Sequence, residues 1–235
     1  MNFSQIDPPV ATFERWRGLR SHGRGLSILR ALEYETLGTI DLSGRVLDFG
    51  GGRRASYFRK LPDDCEVLSV NIDTQFEPTH IVPPGDPLPF EDDGFDAVLT
   101  LNTLEHVYDD IGTIRELVRV TRSGGRLHIM VPFLFRVHGH PDDYNRHTPS
   151  WWAETLDRAG CTSASLLPLV FGRRTTAQMV AGGGGGRLRP LVTFGGALRD
   201  ILAAKVMFPG KTVYAGGKAD NVWHRAPGWY IEAVK

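Results

Sequence analysis

The chain has 235 residues, 41% of them hydrophobic and 23% charged, and its 27 basic residues balance its 27 acidic ones. That length carries one domain with a sizeable core, and a zero balance gives no electrostatic argument for nucleic acid or an anionic membrane as partner. Cys65 and Cys161 stand far apart in no metal-ligand spacing, which fits a reducing cytoplasm and a fold without disulfides. No run of about 18 apolar residues is present to span a membrane, and the start of the chain lacks the apolar core of a signal peptide.

In chain order, residues 1–43 read as a helical N-terminal extension, with Leu26, Leu29, Leu32 and Leu37 at roughly helical spacing. Strand and helix patterns then alternate. Val46–Phe49 and Val67–Ile72 predict strands, as does Phe95–Leu101; Ile111–Val120 predicts an amphipathic helix. Ser123-Gly124-Gly125 predicts a turn into a strand over Arg126–Val131. A helix over Trp151–Ala159 is stopped by Gly160, and a strand follows near Ser165–Val170.

This alternation predicts an α/β fold with a doubly wound, mainly parallel sheet covered on both faces. The stretch from Gly172 to Asn221 differs, with five consecutive glycines at Gly182–Gly186 that predict a mobile loop. A short helix is expected over Ala197–Phe208, and a last strand over Trp229–Val234. The region 172–221 reads as an insertion before that strand, a lid or a contact surface. Arg199, Asp200 and Lys205 interrupt Leu191–Phe208, which favours a packed helix over a membrane-surface one.

The chemistry concentrates after the first predicted strand, at Asp48-Phe49-Gly50-Gly51-Gly52. Glycines there let backbone approach a ligand closely. Asp73, at the tip of the next strand, is placed to accept hydrogen bonds from the two hydroxyls of a ribose. Gly50-x-Gly52-x-x-Ala55 with Asp73 formally fits a dinucleotide fingerprint. Asp48 argues against it, because an acid beside a pyrophosphate is repulsive, whereas the ammonium of an amino-acid moiety would be attracted.

Two further segments flank the third strand: Leu88-Pro89-Phe90-Glu91-Asp92-Asp93-Gly94-Phe95-Asp96 before it and Asn102-Thr103-Leu104-Glu105-His106-Val107 after it. In this order the residues resemble the class I S-adenosylmethionine-dependent methyltransferases, in particular the methyltransferase type 11 group, over about residues 44–160. The resemblance implies a Rossmann-like, doubly wound seven-stranded sheet, six strands parallel and the last antiparallel. It implies a methyltransferase domain over 44–235 and S-adenosylmethionine as cofactor, with S-adenosylhomocysteine as product.

It also implies a cofactor site made of Asp48, Gly50, Gly51, Gly52, Asp73, Asp86 and Asn102. Within it, Asp86 would stand on the adenine side and Asn102 at the methionine end. The chain departs from the family pattern where Arg54 replaces the third glycine, and where Asp86 stands only two residues before Leu88.

After the Arg126–Val131 strand the string Phe135-Arg136-Val137-His138-Gly139-His140-Pro141-Asp142-Asp143-Tyr144-Asn145-Arg146-His147 is dense in ionisable groups. It resembles the PVHGxPxDYxRxT segment of a type 11 branch associated with sugar or surface-polysaccharide modification, which implies a glycan or other hydroxyl-bearing small-molecule acceptor. A hydroxyl acceptor needs a base at the point of attack, and a histidine titrating near neutrality serves. His138 and His140 are the candidate bases, with Asp142 or Asp143 orienting one of them. Tyr144 and Arg146 are candidate acceptor-binding residues, with Arg136 a second cation for an anionic group.

An alternative has Asp142, Asp143, Tyr144 and Arg146 as a hydrogen-bonded clasp that shapes the loop. His106 is expected to hold its loop rather than act chemically, and His138-x-His140-x-Asp142-Asp143 matches no strong metal spacing, so no metal is expected. Two rival functions remain: an NAD(P)-dependent oxidoreductase, and a non-catalytic cofactor-binding scaffold.

Overall fold

A computed structural model describes residues 1–23, 25–139, 141–182, 189–217 and 219–235. The strands are β1 (Asn2–Gln5), β2 (Arg45–Phe49), β3 (Glu66–Asn71), β4 (His80–Ile81), β5 (Phe95–Leu101), β6 (Thr121–Pro132), β7 (Ser163–Leu169) and β8 (Gly228–Val234). The helices are α1 (Phe13–Ser21), α2 (Ile28–Leu37), α3 (Asp110–Val120), α4 (Pro149–Ala159), α5 (Arg173–Val180), α6 (Arg189–Met207) and α7 (Asp220–Trp223).

All eight strands form one sheet in the order β1-β7-β8-β6-β5-β2-β3-β4. β8 runs antiparallel to β6 and β7, and every other pairing is parallel. The central strands are covered on both faces, which is why β2 and β5 read as near-continuous apolar runs: Val46, Leu47, Val98 and Leu99 are fully buried. α3 turns Ile114, Leu117 and Val118 onto the sheet, and α4 does so with Trp152 and Leu156. No helix among the described residues is long and apolar enough to cross a membrane.

The doubly wound sheet and the antiparallel last strand follow the expectation, but the strand count does not. Among the described residues there are eight strands rather than seven, because the N-terminal segment expected to be helical begins with β1. It extends the sheet beyond β7, pairing Asn2 with Ser163 through to Gln5 with Leu166. Four mostly exposed residues carry too little periodicity to announce a strand; the open edge of β7 supplies the backbone partners.

Three local expectations change. Ser123–Gly125 does not turn; it stays within β6 as an irregularity that shifts the register with β5 between Phe95 and Ala97. α5 lies in the part of the 172–221 insertion to which no element was assigned. α6 starts at Arg189 rather than Ala197 and runs through Gly195-Gly196. A Cβ on Gly196 would fall 2.1 Å from Gln178 Oε1 on α5, so this glycine marks a close helix–helix approach rather than a break. Asp200 of α6 then caps α5, accepting the Arg174 and Thr175 amides at 2.8 Å each and the Thr175 hydroxyl at 2.9 Å. Of the glycine run only Gly182 is described; 183–186 lie outside the described residues.

Candidate functional site

The chain winds from β2 to β3 and β4 on one side, then crosses to β5 and β6 on the other. Strand order therefore reverses between β2 and β5, where open α/β sheets form a crevice at the strands' carboxyl ends. A cavity of about 1090 Å³ opens there, walled by Gly50, Asn71, Asp73, Asp86, Asn102 and Thr103 among others. Arg30 of α2, His106, Tyr108 and Pro141 also reach it. None of the described residues between 172 and 221 lines it.

The glycine turn is built by its neighbours. Gly50 has φ +84°, and a Cβ there would fall 2.1 Å from Thr103 Oγ1, so neither its conformation nor its surroundings admit a side chain. Its amide donates to the Val70 carbonyl at 2.7 Å. Asn71 ties the turn to the next strand end, donating from Nδ2 to the Gly50 and Gly51 carbonyls at 2.8 and 3.0 Å while its Oδ1 accepts the Asp73 amide at 3.0 Å.

Asp48 departs from expectation. It is fully buried and points under the turn, not into the cavity. Its carboxylate accepts the Gly52 amide at 3.1 Å and the Tyr57 hydroxyl at 2.7 Å. A Cβ on Gly51 would lie 1.9 Å from that carboxylate, so Gly51 is glycine because Asp48 is there. Burial pushes the Asp48 carboxyl up to about 7, against the opposing hydrogen bonds from Tyr57 and Gly52. Gly51 and Gly52 likewise stand behind the cavity wall rather than in it.

Asp73 and Asp86 both line the cavity. Asp73 Oδ1 accepts the Gln75 amide at 2.8 Å, fixing the side chain at the start of a single 3-10 turn. Asp86 sits exposed in a proline-rich loop over Pro83–Pro87. Asn102, at the end of β5, adopts φ +48°, a conformation that asparagine tolerates better than most residues. Its amide is held by the Met130 carbonyl at 2.8 Å.

Behind this wall stand two acids that the sequence reading passes over. Glu33 of α2 is completely buried, 3.2 Å from Arg30 Nη1; burial raises its pKa, with Arg30 opposing. Glu105, in the turn after β5, is 2% exposed. Burial pushes its carboxyl up to about 8, with Glu33 adding to the rise and Arg146 opposing it. An acid inside an apolar strand-end motif was the available signal for Glu105; nothing in the amphipathic pattern of α2 marks Glu33.

The histidine-rich loop packs against this turn. The Tyr144 amide donates to the Glu105 carbonyl at 2.8 Å, and Asn145 Nδ2 to the Val107 carbonyl at 2.9 Å. Asp143 binds Arg146 through both oxygens, at 2.5 and 2.7 Å, and accepts the His138 amide at 2.7 Å. Although burial works to raise it, the Asp143 carboxyl is held below the usual range by Arg146 and that amide. These are the contacts of a loop-shaping clasp.

Asp142 accepts the Tyr144 hydroxyl at 3.1 Å, and Tyr144 lies edge-on to Tyr108. Arg136 is exposed. His138 packs its ring edge-on against His106, centroids 5.0 Å apart, and His106 Nδ1 lies 2.5 Å from the Asp142 carbonyl oxygen. His138, Asp142, Asp143, Tyr144 and Arg146 are thus brought together beside the cavity, which they reach through His106 and Pro141 rather than directly. His140 lies outside the described residues. Beyond the loop, His147 stacks on Trp151 and pairs with Asp110, anchoring the loop to α4 and α3.

A tyrosine-x-x-x-lysine spacing, which a carbonyl-reducing enzyme would use to donate a proton, does occur at Tyr214 and Lys218. Lys218 lies outside the described residues. Tyr214 is buried away from the cavity, its hydroxyl donating to the Phe171 carbonyl and accepting the Ala11 amide, both at 3.0 Å.

A family model described as "Methyltransferase domain" matches residues 47–129, the segment from β2 to β6 that builds the cavity. A comparison with curated proteins finds no match. Among solved structures, the chain is similar to one from the Haloferax volcanii complex between the Trm112 methyltransferase activator and a methyltransferase, at TM-score 0.55 and 17% identity, covering 95% of each chain. It is similar to a SAM-dependent methyltransferase from Archaeoglobus fulgidus at TM-score 0.55 and 14% identity, covering 94% of this chain and 97% of that one. A SAM-dependent methyltransferase from Thermotoga maritima gives TM-score 0.54 and 14% identity, covering 95% and 94%. At these identities the structures speak for the fold, and the domain match speaks for the segment that carries the site. Together they show a methyltransferase domain over residues 47–129, within a fold shared with S-adenosylmethionine-dependent methyltransferases.

Proposed function

We propose that the switch-point cavity holds S-adenosylmethionine and that its methyl group passes to a hydroxyl of a small-molecule or glycan acceptor. The observation that carries this reading is the convergence of Gly50, Asp73, Asp86 and Asn102 on one cavity within the matched domain. Asp73 takes the ribose hydroxyls. Asp86 stands on the adenine side, and the Gly50 turn with Asn102 receives the methionine end. Asp48 acts on the ligand only through the turn it supports.

The acceptor enters from the side of the 133–147 loop, where the His106–His138 pair adjoins the cavity wall. Methyl transfer is an in-line displacement: the acceptor oxygen forms a bond to the methyl carbon, the carbon–sulfur bond breaks, and its electron pair returns to sulfur as a neutral thioether. The cofactor is already activated, so the protein supplies alignment and a route for the hydroxyl proton. The imidazole edge is the polar feature placed to provide that route. Asp143 and Arg146 hold the loop in shape, and Tyr144, 48% exposed, offers an aromatic face to a sugar ring.

The test is incubation with S-adenosylmethionine carrying a labelled methyl group and panels of hydroxyl-bearing, amine and thiol acceptors. Label recovered as a methyl ether supports the reading. Label recovered only on nitrogen or sulfur contradicts the hydroxyl acceptor, and binding of cofactor without transfer to any class favours the scaffold alternative.

A further inference from the structure

We propose that Glu105, His106 and His138 form a binding site for one divalent transition-metal ion, of the Zn²⁺ or Co²⁺ class, at the edge of the cofactor cavity. One ligand atom from each of the three lies within 4.8 Å of the other two. Donor atoms bound to a common ion at about 2.1 Å sit roughly 3–3.5 Å apart. Glu105 Oε1 and His106 Nε2 already stand 3.6 Å apart. His138, on the loop with 34% of its side chain exposed, has room to turn and close the remaining distance.

The polar groups here call for a cation. Glu105 is 2% exposed, and neither of its carboxylate oxygens has a hydrogen-bond partner among the described residues. A buried carboxyl without a hydrogen-bond donor is left to a proton or a cation to neutralise. The Asp142 carbonyl beside His106 Nδ1 can only accept, so that nitrogen carries a proton there.

A carbonyl that fixes the tautomer of a ligating histidine is the usual outer support of a metal site. His138 Nδ1 is also buried without a hydrogen bond, lying 3.4 Å from Asp143 Oδ2 outside bonding geometry. Two imidazoles with one carboxylate suit zinc-like ions better than Mg²⁺ or Ca²⁺, which prefer oxygen ligands.

Three protein ligands leave positions open on the ion. His106 lines the cavity, so an open position faces the acceptor's side of it. There the ion would bind the acceptor oxygen and lower its pKa, so that its proton leaves to solvent. The oxygen then attacks the methyl carbon with no change in the ion's charge. This deepens the proposed hydroxyl-methylating reading and rests on it, with the ion taking over the imidazole edge's part in releasing the hydroxyl proton; the ion's binding is measured without cofactor or acceptor, so the two can fail separately.

The experiment uses the full chain stripped by a chelator and titrated with Co²⁺, followed by visible absorption, with Zn²⁺ affinity measured by calorimetry. Wild type should bind one ion per chain with ligand-field bands. His138→Ala and Glu105→Gln should each lose at least the roughly 10- to 100-fold in affinity that removing even an outer support costs. His224→Ala, which removes an exposed histidine outside the cluster, should bind as wild type. Circular dichroism checks the fold of each variant; should Glu105→Gln not fold, His138→Ala decides. Absence of ligand-field bands, or an affinity unchanged in His138→Ala, overturns the proposal.

Discussion

Asp48 and Asp73 flank the same glycine turn and have opposite duties. Asp73 reaches the cavity, whereas Asp48 is sealed beneath it with Tyr57 and the Gly52 amide as partners. Sequence shows an acid at the end of an apolar strand run in both cases; it does not show which way the side chain turns. For Asp48 that is decided by the absence of a Cβ on Gly51, which opens an inward path that a longer residue would close.

The inward carboxyl has a pH signature. Its pKa is about 7 in the folded protein, against about 4 unfolded. The folded state therefore keeps a proton that the unfolded chain has lost. Stability falls as pH rises from about 4 to about 7, by up to about 1.4 kcal/mol per unit, and is level above that for this group. Asp48→Asn removes the titration, so its melting temperature should decline less across this window than that of wild type. Equal slopes for the two proteins would contradict the assignment.

At the scale of elements, long periodic segments were legible: α3, α4 and β8 lie within two residues of the sequence expectation, because one side of each meets a continuous core. α5 and the first two turns of α6 were not, since arginines, threonines and glycines there give no apolar stripe. Their stability comes from each other, through the Gly196 approach and the Asp200 cap. Asp200→Ala should cost about 1–2 kcal/mol for the cap, seen as a lower midpoint in urea. Cofactor affinity should stay unchanged, because neither helix lines the cavity. A drop in affinity with an intact midpoint would mean the helix pair bears on the site.

The candidate site divides in the same manner. The glycine turn, Asp73 and Asn102 come from strand ends whose position follows from sheet topology, so a linear pattern locates them. Asn71, Glu33 and Glu105 act through contacts between segments distant in sequence, and no local spacing encodes those. The loop residues His138 to Arg146 were found as a cluster, but their division into clasp and imidazole pair depends on which element each packs against.

For the molecule as a whole, sheet order sets what can affect what. β1 is four strands from β5, roughly 19 Å at the usual spacing of about 4.8 Å. Removing residues 1–6 takes away the edge strand and its pairing with β7. It should lower thermal stability while leaving cofactor affinity as in wild type; loss of binding with the remaining fold intact would show that the edge strand organises the centre of the sheet.

The central claim is that the β2–β5 crevice is a site for S-adenosylmethionine oriented by Asp73. The most direct measurement is calorimetric titration of the protein with S-adenosylmethionine, S-adenosylhomocysteine and NADH, repeated on Asp73→Ala. Losing hydrogen bonds to a charged acceptor costs about 1.5–3 kcal/mol, or roughly 10- to 100-fold in Kd. Both sulfur compounds should bind wild type in the micromolar range, weaken by that factor in the variant, and leave NADH without heat. Binding of NADH in their place, or sulfur-compound binding indifferent to Asp73, would contradict the account.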